Sequence, residues 1–169
     1  MATRAMIAFL NPDNGELITT YNHYDGYPEN LGKGLKDHYD QPDRALDIAQ
    51  KGYISYLDPE TGAIEAARQE PAGKVNLKKM DFQDAMFAIA EEADSMGADY
   101  IYVYNPEDME WVDVKMYGIR QAAESLGSAL NSLKFAFGSD IKDIPADFDQ
   151  VEESYKSKWE NFINGEVNK

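Results

Sequence analysis

The densest collection of side chains able to bind or titrate is Tyr21-Asn22-His23-Tyr24-Asp25-Gly26-Tyr27-Pro28. It holds one of the chain's two histidines and three tyrosines spaced by three. Asp25, two residues after His23, could orient the imidazole as a general base, which is the start of a hydrolytic site. No nucleophile accompanies the pair, so His23 and Asp25 are weak catalytic candidates. A metal could be held by His23 with carboxylates, or by Glu91, Glu92 and Asp94, but neither spacing is specific. No metal or other cofactor is expected. Phosphate-loop, nucleophile-elbow and H-E-x-x-H signatures are absent from the sequence. The stretch therefore reads foremost as a binding surface made by Tyr21, His23, Tyr24, Asp25 and Tyr27.

Locally it is a strand end, an irregular loop and a helix start. Asp25-Gly26 predicts a tight turn with glycine at positive φ. Proline restricts Tyr27 to an extended conformation and permits a cis bond. Asn30 can cap a short helix on which Leu31 and Leu35 stack, with Gly32 and Gly34 offering backbone N–H groups to an anion. His38 falls on the apolar side of that helix and reads as a packed histidine.

The run Tyr21-x-His23-Tyr24-Asp25-Gly26-Tyr27-Pro28, with Gly32 and Leu35 after it, resembles a motif of small uncharacterised proteins, many of them phage-encoded. There the residue between His and Asp is often Trp; here it is Tyr24. The opening Thr3-Arg4-Ala5-Met6-Ile7 fits the same group. The resemblance covers about the first quarter of the chain and implies a viral origin without implying an activity.

Three hairpins position this stretch. Met6 to Leu10 turns through Asn11–Gly15 into Glu16 to Tyr21; Tyr53 to Leu57 turns through Asp58–Gly62 into Ala63 to Ala66; Tyr100 to Tyr104 turns at Asn105–Asp108 into Glu110 to Tyr117. The Asn/Asp-Pro pairs recur evenly at residues 11, 58 and 105, which suggests hairpin-plus-helix units sharing one sheet. Helices are expected over 41–51 with Asp40 as cap, 81–96, 119–137 and 147–164. Residues 68–79 read as a mobile surface loop. In the third hairpin, alternation gathers Tyr100, Tyr102, Tyr104, Trp111 and Asp113 on one face and Ile101, Val103 and Val112 on the other. With helices over the aliphatic face, the aromatic one is a second binding surface.

A chain of 169 residues, 43% hydrophobic, suits a single domain spanning 1–169. The expected class is α+β, a mostly antiparallel sheet built from three β-hairpins with helices packed on one face. There is no cysteine, which excludes disulfides and thiolate chemistry. The first apolar run, Ala5 to Leu10, is too short for a signal peptide or membrane span, so a cytoplasmic protein is expected. Net charge is −15, and ten acidic residues but no basic one lie between Asp81 and Asp113. Such a surface repels nucleic acid and anionic lipid and attracts basic protein. The expectation is a non-catalytic acidic protein that binds and modulates a host protein with a basic surface. The alternative is a small-molecule binder taking a nucleotide-like ligand in the Tyr21–Gly34 loop; a hydrolase using His23 and Asp25 comes third.

Overall fold

The computed structural model describes residues 2–11, 15–66, 69–77, 82–106 and 108–113. At its centre is β1 (Ala5–Asn11), whose uncharged, mostly apolar sequence suits a strand covered on both faces. The strand β2 (Glu16–Asn22) returns beside it, with Asn11 opposite Glu16 and Ala5 opposite Asn22. Gly15, at φ +70°, supplies the left-handed residue that closes this hairpin, and its N–H donates to the Asn11 carbonyl at 3.0 Å. On its other side β1 runs parallel to β7 (Tyr100–Asn105), which pairs antiparallel with β8 (Glu110–Asp113). The far edge of β2 is shared end to end by two short strands. β3 (Tyr53–Ile54) is parallel to it at Tyr21–Asn22, and β6 (Gly73–Asn76) is antiparallel at Glu16–Thr19.

The fold is α+β, and its details depart from the expected arrangement. The middle hairpin joins the sheet only through its first residues: Tyr53–Ile54 pairs with β2 as β3, while β4 (Tyr56–Leu57) and β5 (Ile64–Glu65) pair as a separate ribbon. Two strand pairs in the main sheet are parallel, so the sheet is mixed rather than a row of hairpins, and the even spacing of the Asn/Asp-Pro turns does not mark equivalent units. Segment 68–79 is not wholly loop, because β6 completes the edge of β2 with Val75 opposite Leu17. The expected helices over 119–137 and 147–164, and the return strand past Asp113, lie outside the described residues.

Helices lie on both faces of the sheet. α1 (Lys33–His38) and α2 (Pro42–Ala49) cover the face bearing Ala5, Ile7, Phe9, Tyr102, Tyr104 and Trp111; Leu31, Leu35, Ala45 and Ile48 complete one core with them. The N-cap of α2 is Gln41, not Asp40, and Gly52 at φ +80° follows its end. Thr20 fastens α2 to β2: its hydroxyl donates to the Ala49 carbonyl at 2.6 Å and accepts the Gly52 N–H at 3.0 Å. α3 (Phe82–Ser95) takes the opposite face, where Glu92 accepts from the Thr19 hydroxyl and Ile89 and Ala93 are buried. The physical reason is that the second face is as apolar as the first. Met6, Leu10, Leu17, Ile101 and Val103 all point there and are buried, which requires a second covering layer.

The aromatic face of β7–β8 is therefore core, not an open surface. Tyr102, Tyr104 and Trp111 are buried because each polar atom finds a backbone carbonyl in the helix layer. Tyr102 Oη donates to Gly26 at 2.7 Å, Tyr104 Oη to Asp40 at 2.7 Å, and Trp111 Nε1 to Tyr39 at 2.9 Å. Phe9 stacks on Tyr104 at 5.6 Å, and Trp111 meets the same ring edge-on at 5.2 Å. Tyr100, at the start of β7, is half-buried.

Trp111→Ala should cost about 3–5 kcal/mol in urea unfolding, whereas Tyr24→Ala, at an exposed position, should stay within about 0.5 kcal/mol. Equal effects would show that the β7–β8 aromatics do not anchor the core.

Candidate functional site

The Tyr21–Pro28 stretch continues the sheet before leaving it. His23 and Tyr24 donate their backbone N–H groups to Ile54 and Ser55 at 2.9 Å each, extending the parallel contact between β2 and β3. The left-handed residue of the turn is then Asp25, at φ +54°, rather than Gly26. Aspartate tolerates that region better than most side chains. Glycine is needed at 26 for a different reason. A Cβ there would sit 2.8 Å from both the Ala5 Cβ and the Thr3 carbonyl oxygen. The Gly26 N–H donates to that Thr3 carbonyl at 2.9 Å, and its own carbonyl accepts from Tyr102.

Past the turn, Tyr27 is extended and Pro28 opens a π-helical turn, Pro28–Gly32, that runs straight into α1. The Tyr27–Pro28 bond is trans, as are the other peptide bonds among the described residues. N–H groups of Asn30 and Leu31 converge on the Tyr27 carbonyl at 3.1 and 3.0 Å. Asn30 does not cap a helix; its side-chain amide reaches the Leu57 carbonyl at 3.1 Å and ties the turn to β4. Gly34 allows close packing on Leu57, whose Cδ2 would lie 2.8 Å from an added Cβ. His38 packs against the Asp58–Gly62 turn and meets the Pro59 carbonyl through Nε2 at 3.0 Å.

The candidate binding residues separate into two places. Tyr21 Oη and His23 Nδ1 are 2.6 Å apart, the Tyr21 ring leans on Tyr53 at 5.6 Å, and Tyr24 stands edge-on to His23 at 4.4 Å. The partner of the imidazole is thus a phenol, and Asp25 does not orient it. Tyr27, Tyr100, Tyr102 and Trp111 lie elsewhere, around the start of α1 and the strands beneath it. Among the described residues no three His, Asp or Glu side chains gather as a metal-binding group.

Between the Pro28–Gly32 turn, α1 and the β7–β8 strands lies a cleft of about 340 Å³. Its apolar lining includes Pro28, Tyr102 and Trp111. Because the hydroxyl and the indole N–H are bonded to backbone, these rings offer the cleft carbon. Gly32 also lines it, 3.4 Å from a Tyr102 ring carbon if given a Cβ. The charged lining is Glu29, Lys33, Lys36, Asp37 and Asp113, the last only 6% exposed. Lys33 Nζ is shared between Asp37 and Glu60 at 3.3 Å each. Those two carboxylates raise the lysine's pKa, Asp37 first. The Tyr102 hydroxyl is pushed far above its ordinary value, chiefly by burial and then by the Asp113 charge, with smaller effects from Tyr100 and Glu29. Burial, Glu29, Asp113 and Asp99 act likewise on Tyr100.

The acidic run from Asp81 to Asp113 is not one surface. Glu92 bonds Thr19 on the α3 face, Asp99 accepts the Arg4 backbone N–H at 3.0 Å, and Asp113 points to the α1 face. Sequence reasoning missed Glu29, Lys36 and Asp37 as site residues. Strand alternation did place Asp113 beside Trp111, and that was the one available signal. Comparison with known protein families, curated proteins and solved structures finds no match. No helix among the described residues is long and apolar enough to cross a membrane.

A phenol is a better donor than acceptor, so Tyr21 should donate to Nδ1 and hold neutral His23 as the Nε2–H tautomer. Nitrogen-15 NMR of the imidazole at neutral pH should show that form, and Tyr21→Phe should restore a mixture. A protonated Nδ1 in the wild type would reverse the assignment.

Proposed function

We propose that this protein is a non-catalytic binding protein whose acidic surface engages a basic patch on a protein partner and modulates it. The observation that carries the reading is the imbalance of charge over the α1–α2 layer. Most of its cations are already committed: Lys33 to Asp37 and Glu60, Lys51 to Asp47 at 3.8 Å, and Arg44 over the Tyr39 ring at 5.2 Å; Lys36 is the exception, in none of the ion pairs found among the described residues. Exposed Glu29, Asp40 and Asp43 are in none of the ion pairs found among the described residues. With a net charge of −15 behind them, these carboxylates would steer and hold a basic surface. Contacts come from this layer and the exposed Tyr24, because the aromatic face of β7–β8 is buried. The resemblance of the Tyr21–Pro28 motif to phage-encoded proteins favours a partner in a bacterial host.

A nucleotide-like ligand fits the cleft less well. Glu29 and Asp113 would repel a phosphate, and of the two lysines lining the cleft Lys33 is held by two carboxylates, which leaves Lys36 alone to oppose them. Hydrolysis is less favoured again, since His23 meets Tyr21 and not Asp25.

Tagged protein should retain one stoichiometric partner from bacterial lysate at low salt and release it at high salt, where exposed charge pairs are screened. Asp40→Lys with Asp43→Lys should abolish retention while leaving the thermal unfolding temperature near that of the wild type. Retention that charge reversal leaves untouched would refute the acidic-surface reading.

A further inference from the structure

Resting on that reading, we infer that the cleft between the Pro28–Gly32 turn and the β7–β8 strands receives an arginine side chain of the partner protein. Three observations converge on this occupant. The cleft is a narrow space with an apolar lining of Pro28, Tyr102 and Trp111, suited to the methylene stem of a long side chain. Its charged lining holds three carboxylates, Glu29, Asp37 and Asp113, against Lys33 and Lys36; Lys33 is already paired, and Asp113 is held at 6% exposure at the end of β8, where water competes weakly. Carboxylates also dominate the electrostatics sensed by the two nearest phenols, since Glu29 and Asp113 both act to raise Tyr100 and Tyr102. A guanidinium matches this set better than an ammonium. It is flat, weakly hydrated, always charged, and can donate to two carboxylates through separate N–H groups.

The cleft also joins the surface already assigned to the partner. Glu29 belongs both to its wall and to the uncompensated carboxylates of the α1–α2 layer, so an inserted arginine would anchor a basic patch spread over that layer. Lys36 is the opposing charge. It lines the cleft, and none of the ion pairs found among the described residues includes it. Removing it should strengthen binding, an outcome that an anion site would reverse.

The test uses the full-length protein, labelled with nitrogen-15, and short capped Gly-Arg-Gly peptides. Citrulline, with the same shape and no charge, and lysine replace arginine in two control peptides. The reporters are the Gly32 amide and the Trp111 indole N–H, the latter distinguished from Trp159 by a Trp159→Phe sample. The arginine peptide should shift both signals at millimolar concentration, with lysine weaker and citrulline about tenfold weaker or silent. Asp113→Asn should weaken arginine binding about tenfold, and Lys36→Gln should tighten it severalfold. Glu29→Gln, at an exposed position, should also weaken binding, and it keeps the test decisive where Asp113→Asn fails to fold. Equal shifts with arginine and citrulline, no shift with either, or weaker binding in Lys36→Gln would overturn the inference. Peptide binding without any partner retained from lysate would sustain the arginine site while the partner reading fails. A partner retained equally by wild type and Glu29→Gln would sustain the partner reading and overturn the site.

Discussion

One hydrogen bond fixes the relation between the irregular loop and the sheet: Tyr102 Oη donating to the Gly26 carbonyl at 2.7 Å. The donor sits on a strand paired to β1, and the acceptor lies in the turn that passes over Ala5 at the start of β1. Both ends are buried, so breaking the contact would strand a hydroxyl and a carbonyl away from water. The missing Cβ at Gly26 lets the turn come close enough to make it. From there the path of the chain is set. Tyr27 is extended, Pro28 begins the π-helical turn, and α1 is delivered over Trp111 with Leu31 and Leu35 buried. The cleft is what remains between that helix start and the strands it does not fully cover.

The strands were readable because apolar runs (β1) or alternating ones (β7) are bounded by turns that carry Asn, Asp, Pro and Gly in the expected places. β1, β2 and β7 fall close to where periodicity puts them. Pairing was harder. Nothing in Ala5–Asn11 announces that its second neighbour is β7, almost the whole described chain away, because parallel contacts leave no turn between them. The separate β4–β5 ribbon follows from the same limit: a hairpin signal says that two segments pair with each other, not that they join a sheet.

The alternation of β7 and β8 was right and its interpretation was not. Tyrosine and tryptophan on a strand face look like a surface when their polar atoms are assumed to need water. Here Gly26, Tyr39 and Asp40 supply backbone acceptors at 2.7–2.9 Å, and the face becomes interior. Likewise His23 and Asp25 are adjacent in sequence but not partners in space, since Asp25 occupies the left-handed turn position and Tyr21 reaches the imidazole first. The charge of the chain was legible from composition. Its distribution was not, because consecutive acidic residues from α3 to β8 fall on opposite sides of the sheet.

The divided outer edge of β2 has a consequence for the protein's behaviour in a crowded solution. A continuous exposed strand is a template along which another chain can add itself. Here the edge changes polarity partway, from the two parallel residues of β3 to the four antiparallel residues of β6, with Gly52 and Gly73 near the junction. Each piece is short, two residues and four, and short edge strands are poor templates for adding another chain. The break guards this side of the sheet against runaway assembly, which a protein with so many apolar residues in its central strands would otherwise invite.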